Sequence, residues 1–514
     1  MSDAPFADPL PPPGPRSPDW AWLVVAVQAA LLIVLAGWLL SGLPIGVRGQ
    51  WAWEVHGKPL PVAGLLRAVL IGAEALGVLW WGLWRIRRKR RSDVGIVAAL
   101  VLLVFALQIA VASLAPRAGF FLVAGTGSSV ATEYFAVARS VRDPWVYCRS
   151  YAATQPLGHH VATHPPGAVL TYWLCLRLYE SPLFPRRAFA AAAERVIGAP
   201  RGAIAVAANS YPGTTLFGSD VGPALLCCLA LGVCGALTLA PLYWLASRAA
   251  SRSTALVVCA LFALTPAPVL FFQGLDALVL LLATTATALA YAAVKQQRLG
   301  AGALGGLALG LLCAITFGAA AAMVTVAALV VLLILRLPQS QRGRSWACAA
   351  VGLAIWLAAI VTLHLLCGGQ LHVIFRQAMA AHRALTWEGF GRSYTTWVGL
   401  NLVEFVCFLG FPGLVALAIA LGGALRRRLR GLSDAELVGL VGLCVLLALD
   451  LSGSVRGEVA RVWMFLMPPL TLWAGHRLRR MLRERRTVAI LTVMLSLLQV
   501  LLLGVALTPV VLPY

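Results

Sequence analysis

Charge is scarce in this 514-residue chain: Asp, Glu, Lys and Arg make up 12% of it, against 60% hydrophobic residues. Soluble domains are about a quarter charged and about half apolar. The chain cannot cover itself with polar surface, which excludes a soluble globular fold. Acidic residues are scarcest, 19 against 41 Lys and Arg, leaving a net charge of +22. The 11 cysteines show no CxxC and no Cys/His ligand spacing. A cysteine-based metal centre is thereby excluded, and those inside apolar runs (Cys227, Cys228, Cys259, Cys313) read as buried small hydrophobes. Cys148, in a polar stretch, is the one thiol placed for an oxidising environment. The opening "MSDAPFADPLPPPGPRSPDW" lacks the basic region and small-residue cleavage site of a signal peptide. Residues 1–19 read instead as a disordered, proline-rich cytoplasmic tail, and the first apolar run is expected to be retained.

What the chain does have is hydrophobic length, with a mean hydropathy of +0.86. Runs of roughly 20 apolar residues read as membrane spans, and a helix is the open element that satisfies its own backbone in lipid. Such runs fall near 20–40, 62–84, 93–115, 221–246, 254–273, 275–294, 299–318, 319–337, 346–367, 397–424, 435–451, 462–476 and 487–509. The expected fold is an all-α polytopic transmembrane bundle of about thirteen helices, with a large extracytoplasmic first loop containing short juxtamembrane helices. "RIRRKRR" (85–91), "RRRLR" (426–430) and "RLRRMLRERR" (477–486) lie in short breaks between runs. There the positive-inside rule makes them cytoplasmic anchors rather than a phosphate-binding stripe, so no nucleic-acid partner is expected.

This puts a multi-pass protein in the plasma (inner) membrane, N-terminus cytoplasmic, with outer loops 116–220, 368–396 and 452–461. The division is a tail (1–19), two extra helices (20–92) joined through "GQWAWEVHGK", a core (93–337) and a C-terminal set (338–514). Residues 165–179 are apolar enough either to span, with a return near 196–210, or to lie at the interface. Glu74 and Glu404, within apolar runs, are expected to hydrogen-bond between helices, and Asp450 to sit at the interface.

The outer loops hold more arginine than charge bias predicts: Arg139, Arg142, Arg149, Arg376, Arg383, Arg392, Arg456 and Arg461. An anionic ligand would explain them, and so would solvated pairing with acids such as Glu194 or Glu388. In "GHHVATHPPGAVLTYW" (158–173), His164 precedes two prolines. Its backbone is pushed out of the α region, and proline in the first helical turn loses no hydrogen bond. The motif starts a helix and holds an imidazole at the water–lipid boundary. His159, His160 and His164 have zinc-like spacing, but Pro-Pro disfavours the helix that would converge them and no fourth ligand is evident. Asp276 opens the run "GLDALVLLLATTATALAY". A carboxylate there is costly in lipid, and either a functional site or a favourable helix N-terminus offsets that cost. In 368–396, positions 372, 376, 379 and 383 share one helical face, as in an amphipathic interfacial helix.

The order of these motifs resembles the GT-C superfamily of membrane glycosyltransferases, in particular the protein O-mannosyltransferase and aminoarabinose-transferase-like branch. The likeness runs over about 93–300: an acid and "EYFAVAR" (133–139), His-Pro-Pro before an aromatic-rich helix, then "LASRAASRSTALVVCALFALTPAPVLFFQGLDALVLLLAT" (245–284). The resemblance implies sugar transfer from a polyprenyl-phosphate donor to a glycan, lipid or protein acceptor at the outer face of the bilayer. On that basis the candidate catalytic residues are Glu133, His164 and Asp276. Glu133 is the general base, and Arg461, with Arg456, clamps the donor phosphate through its planar fork. Candidate substrate-binding residues are Arg139, His160, Tyr172, Arg383, Arg392, Arg456 and Arg461. The family often shows two adjacent acids, whereas Thr132 precedes Glu133 here. No metal ligand is assigned, no cofactor is required, and a divalent metal is left open. The alternatives are a transporter or flippase of a lipid-linked anion, and a catalytically degenerate scaffold. Transporters tend to show internal repeats and midplane polar sites; this chain shows neither.

Overall fold

The computed structural model describes residues 20–48, 50–53, 55, scattered positions between 62 and 81, 93–114, 118–129, 131–154, 160–211, 213–482 and 486–507. The tail, most of the run near 62–84, the 85–91 basic cluster and His159 lie outside the described residues. Among the described residues the chain is an all-α bundle. Its one sheet is a hairpin, Ile45–Val47 with Trp51–Trp53, that follows the first helix, Trp20–Leu40.

Among the described residues six helices are long and apolar enough to cross a membrane: Trp22–Leu40, Val94–Ala112, Gly218–Ala249, Asp276–Lys295, Gln339–Leu366 and Asp434–Ser452. Tyr394–Leu409 and Phe411–Arg426 make a seventh span if counted together, and they are bent by 111°. Shorter apolar helices are Arg252–Ala263, Leu299–Ile315, Ala319–Leu335 and Ile490–Ala506. Among the described residues, several of the expected thirteen spans are therefore shortened or broken, for local reasons. The 254–273 run breaks at Thr265–Pro266 into Arg252–Ala263 and Pro266–Leu270. The 397–424 run breaks at Gly410, whose φ of 94° no ordinary helical residue adopts. Gln499 satisfies the backbone freed there: Phe411 N donates to its Oε1 (2.9 Å) and its Nε2 donates to Cys407 O (2.9 Å). The split expected at 318/319 is a short turn between Leu299–Ile315 and Ala319–Leu335.

Residues 165–179 do not span. They form Gly167–Glu180, 14 residues long, or about 21 Å at 1.5 Å per residue, against a hydrocarbon core of about 30 Å. The possible return near 196–210 contains only Arg201–Ala208. With Tyr134–Ser140, Pro144–Thr154 and Arg186–Ile197 they make the large loop a layer of short helices.

Close helix approach uses small residues, as lipid-embedded packing requires. On Leu299–Ile315, a Cβ at Gly302, Gly306 or Gly310 would lie 2.3 Å from Cys348 O, 2.1 Å from Gly352 O or 2.4 Å from Ala359 Cβ. That face therefore seats Gln339–Leu366 directly.

The ends of two spans orient the bundle. Lys295 Nζ, closing Asp276–Lys295, lies 2.9 Å from Asp434 Oδ2 at the start of Asp434–Ser452. The two helices run in opposite directions, so Asp276 shares the other end with the segment that follows Ser452.

Candidate functional site

The site begins with a turn. Glu133 adopts the left-handed conformation (φ 61°) and leads into Tyr134–Ser140. Its amide donates to Ser128 O (3.1 Å) and that of Tyr134 to Thr132 O (2.8 Å). A non-glycine residue in this region is uncommon and costs energy that surrounding structure must offset. The result is that Tyr134, 2% exposed, lies inside the bundle end.

The His-Pro-Pro motif supplies the next wall. His160–Thr163 is one 3₁₀ turn, and Gly167–Glu180 starts directly after Pro166. Glycine is required at 167, where a Cβ would lie 2.2 Å from Ala314 O. The Tyr151 hydroxyl lies 2.9 Å from Val161 O and 2.8 Å from His164 O, fixing the turn from behind. Tyr134 then meets His160 (ring centroids 5.7 Å), His164 (5.4 Å, edge-on) and Tyr172 (5.7 Å). The imidazoles lie 5.3 Å apart, with Thr163 Oγ1 2.8 Å from His164 Nδ1.

The third wall comes from the far end of the chain. Glu458, also left-handed at φ 64°, opens the short helix Val459–Val462. Arg461 Nη2 lies 2.8 Å from Glu458 Oε2, and Arg461 Nε lies 3.3 Å from Asp276 Oδ2. Arg392, 2% exposed, reaches Glu458 Oε1 at 3.4 Å. Two guanidiniums and two carboxylates thus balance at the heart of the site.

Burial, then the nearness of Arg461 and His382, lowers the His160 pKa to about 3. Burial, followed by the neighbouring His160, likewise holds His164 well below the usual histidine range. Both imidazoles are neutral at physiological pH, so each offers one N–H donor and one acceptor. Burial, reinforced by Tyr172 and Asp276, raises the Tyr134 hydroxyl well above the usual phenol range. It stays protonated.

The other sequence candidates lie at graded distances. Glu133 adjoins Tyr147 and Tyr151, whose hydroxyls are pushed up by burial first and by its charge among lesser causes. Arg139 turns away from the cluster, 3.2 Å from both Asp220 Oδ2 and Thr215 O. Arg456 donates to Arg392 O (2.6 Å) while Arg392 donates to Arg456 O. Arg456 also lies over the Trp387 ring (4.5 Å), which the exposed Arg383 flanks at 5.9 Å. Tyr172 is buried at 1% exposure. His382, on the Leu371–Arg383 helix, lies with Nε2 2.8 Å from Ser454 O. Asp450, in the last turn of Asp434–Ser452, is buried within the protein and accepts from Asn401 Nδ2 (3.1 Å). Glu194 pairs with Arg201 (2.7 Å).

Two residues escaped the sequence reading. Tyr134 is the aromatic hub, and its signal was adjacency to Glu133. Glu458 links both buried guanidiniums, and its signal was the three-residue spacing in Glu-Val-Ala-Arg. Among the described residues, several buried polar atoms near this end have no hydrogen-bond partner: Thr132 Oγ1, Tyr147 OH and both amide atoms of Gln273. Buried polar groups are ordinarily paired, so a polar ligand suits this place. No three His, Cys, Asp or Glu side chains among the described residues are grouped to hold a metal. His160 and His164 alone are too few.

No protein-family profile and no curated protein matches the chain. Among solved structures the chain is similar to an oligosaccharyltransferase from Archaeoglobus fulgidus, solved in complex with zinc and sulfate. The match has 13% identity and a TM-score of 0.42, and covers 71% of this chain and 49% of the other, so this chain spans about half the length of that protein. A likeness this distant carries no functional weight.

Proposed function

We propose that the chain is an integral-membrane glycosyltransferase, moving a sugar from a polyprenyl-phosphate donor to an acceptor hydroxyl on the extracytoplasmic face. The supporting observation is the gathering of Tyr134, His160, His164, Asp276, Glu458 and Arg461 from four distant segments at one bundle end. That end is opposite the one where Lys295 meets Asp434, and the basic breaks of the sequence place the latter inside the cell.

The acceptor oxygen attacks the anomeric carbon as the bond to phosphate breaks, through an oxocarbenium-like state. Glu133, which leads into the helix carrying Tyr134, takes the acceptor proton as general base. The leaving polyprenyl phosphate keeps the bonding electrons, and Arg461 meets its growing charge with a fixed planar fork. Arg456 flanks the phosphate at headgroup level, while Arg392, expected to bind substrate, is buried behind it and holds Glu458. Neutral His160 and His164 hydrogen-bond donor or acceptor oxygens without adding charge. The transporter reading has one feature in its favour, the helix broken at Gly410. Gln499 takes up the freed groups there, so they are not offered to a passing ion.

The test is transfer from radiolabelled polyprenyl-phosphate sugars in membranes. Glu133→Gln is expected to lower turnover by at least about 10²-fold, the usual contribution of a positioned general base. Equal turnover would remove Glu133 as base, and no transfer by the wild type from any donor would remove the enzyme reading.

A further inference from the structure

The proposed reaction leaves the "QWAW" hairpin without a role, yet its contacts lead to both sides of Arg461. Val459–Val462 is four residues long and too short to hold itself as a helix. Glu458 does not cap it, since its carboxylate faces the guanidiniums. Instead Ala460 N donates to Glu404 Oε1 (3.1 Å), contributed by Tyr394–Leu409. The same oxygen accepts from the indole N–H of Trp53 (2.9 Å). One turn earlier on that helix, Asn401 Oδ1 accepts from Gly457 N (2.9 Å), and its Nδ2 donates to Val455 O (3.0 Å).

A second path runs through the other end of the strand. Trp397 donates its indole N–H to Gln50 Oε1 (2.8 Å). The Trp51 ring lies 5.3 Å from the Arg392 guanidinium, which reaches Glu458, the partner of Arg461. Gly457 (φ 84°) sits so close beneath the hairpin that a Cβ would lie 2.9 Å from Trp51 Cδ1.

We infer that the hairpin is a brace that sets the position of Arg461, with Trp53 and Glu404 as positioning residues. The inference rests on the reading of Arg461 as the cation for the donor phosphate. A hairpin that merely filled space would need indole rings and not the Trp53 N–H. Here that N–H fixes the oxygen that caps the helix carrying Arg461.

Trp53→Phe in the full-length protein keeps one aromatic ring and removes the donor, and Glu404→Leu removes the acceptor while the whole indole stays, so a shift common to both reports the hydrogen bond and not the lost ring volume. The expected result is a kcat about tenfold lower with KM little changed, the order expected when a buried hydrogen bond is broken. A second readout does not depend on transfer: phenylglyoxal should modify Arg461 faster in Trp53→Phe, by peptide mass spectrometry, and Arg139 at an unchanged rate. Glu404→Gln keeps an oxygen for both donors and should stay within about threefold of wild type. Gln50→Ala, releasing only Trp397, should shift Arg461 modification in the same direction by less, and carries the test if Trp53→Phe does not fold. Wild-type modification of Arg461 in the folded variants overturns the brace. If the modification shifts as stated but no donor supports transfer by the wild type, the brace stands and the phosphate reading falls.

Discussion

At the end of the bundle where Lys295 meets Asp434, ion pairs join neighbouring helices at the surface. Arg252 pairs with Asp93 beside the Tyr243 hydroxyl. Arg427, 41% exposed, pairs with Glu436, which also completes a capping box with Ser433. At the opposite end the arginines are more deeply placed. Arg392 is 2% exposed and lies among Trp51, Phe390 and Trp397, and Arg461 is 17% exposed between two carboxylates. Exposed pairs contribute about 0–1 kcal/mol. Buried ones must offset a large desolvation cost and are weak evidence for stability alone. Charge in the expensive position, with polar atoms nearby left without protein partners among the described residues, is what supports the proposed phosphate site.

The sharpest way to break this contrast is Arg461→Ala. It leaves the partly buried Asp276 and Glu458 without their shared cation, and the loss should be below the about 3–5 kcal/mol of a fully buried pair but above the about 0–1 kcal/mol of an exposed one. Thermal unfolding in detergent should show that loss, and transfer should fall by about 10²–10³-fold, as when a fixed transition-state donor is removed. A variant as stable as wild type would mean the pairing is incidental.

Acid sharpens the contrast next. The folded-state pKa of His160 is depressed from 6.5 to about 3, so the unfolded chain binds the proton more readily. This stability is fully present above 6.5 and is lost as pH falls toward 3. Melting temperature should therefore decline across that window, and less steeply in His160→Gln. A slope identical in the two proteins would count against a buried neutral imidazole.

Much of the fold was legible because it follows from local rules. The apolar runs, the turn at 318 and the His-Pro-Pro start depend on hydropathy and on proline's fixed φ. The break at Gly410 was not legible, since its tolerance depends on Gln499, far along the chain. Within the site, Arg461 and Asp276 stood out as charges in the wrong medium. Glu458 and Tyr134 did not, because their importance comes from left-handed turns and from contacts with side chains on other segments. Arg139 drew notice through its motif, yet it is spent on Asp220 and Thr215. Glu404, expected to bond between helices, serves a hairpin indole and a short-helix amide.

The smallest effect is expected at the exposed end. Arg427→Ala should cost less than about 1 kcal/mol, and the loss should shrink further in high salt. Thermal unfolding at low and high ionic strength measures it, and a loss comparable to that of Arg461→Ala would erase the difference between the two ends.

The most direct test of the whole account is the change in melting temperature caused by adding polyprenyl phosphate to wild type, Arg427→Gln and Arg461→Lys. A ligand that binds only the folded state raises it by mass action. Wild type and Arg427→Gln should rise equally, while Arg461→Lys, keeping the charge without the fork, should lose most of the rise. Equal shifts in all three, or a loss confined to Arg427→Gln, would contradict the placement of the phosphate at Arg461.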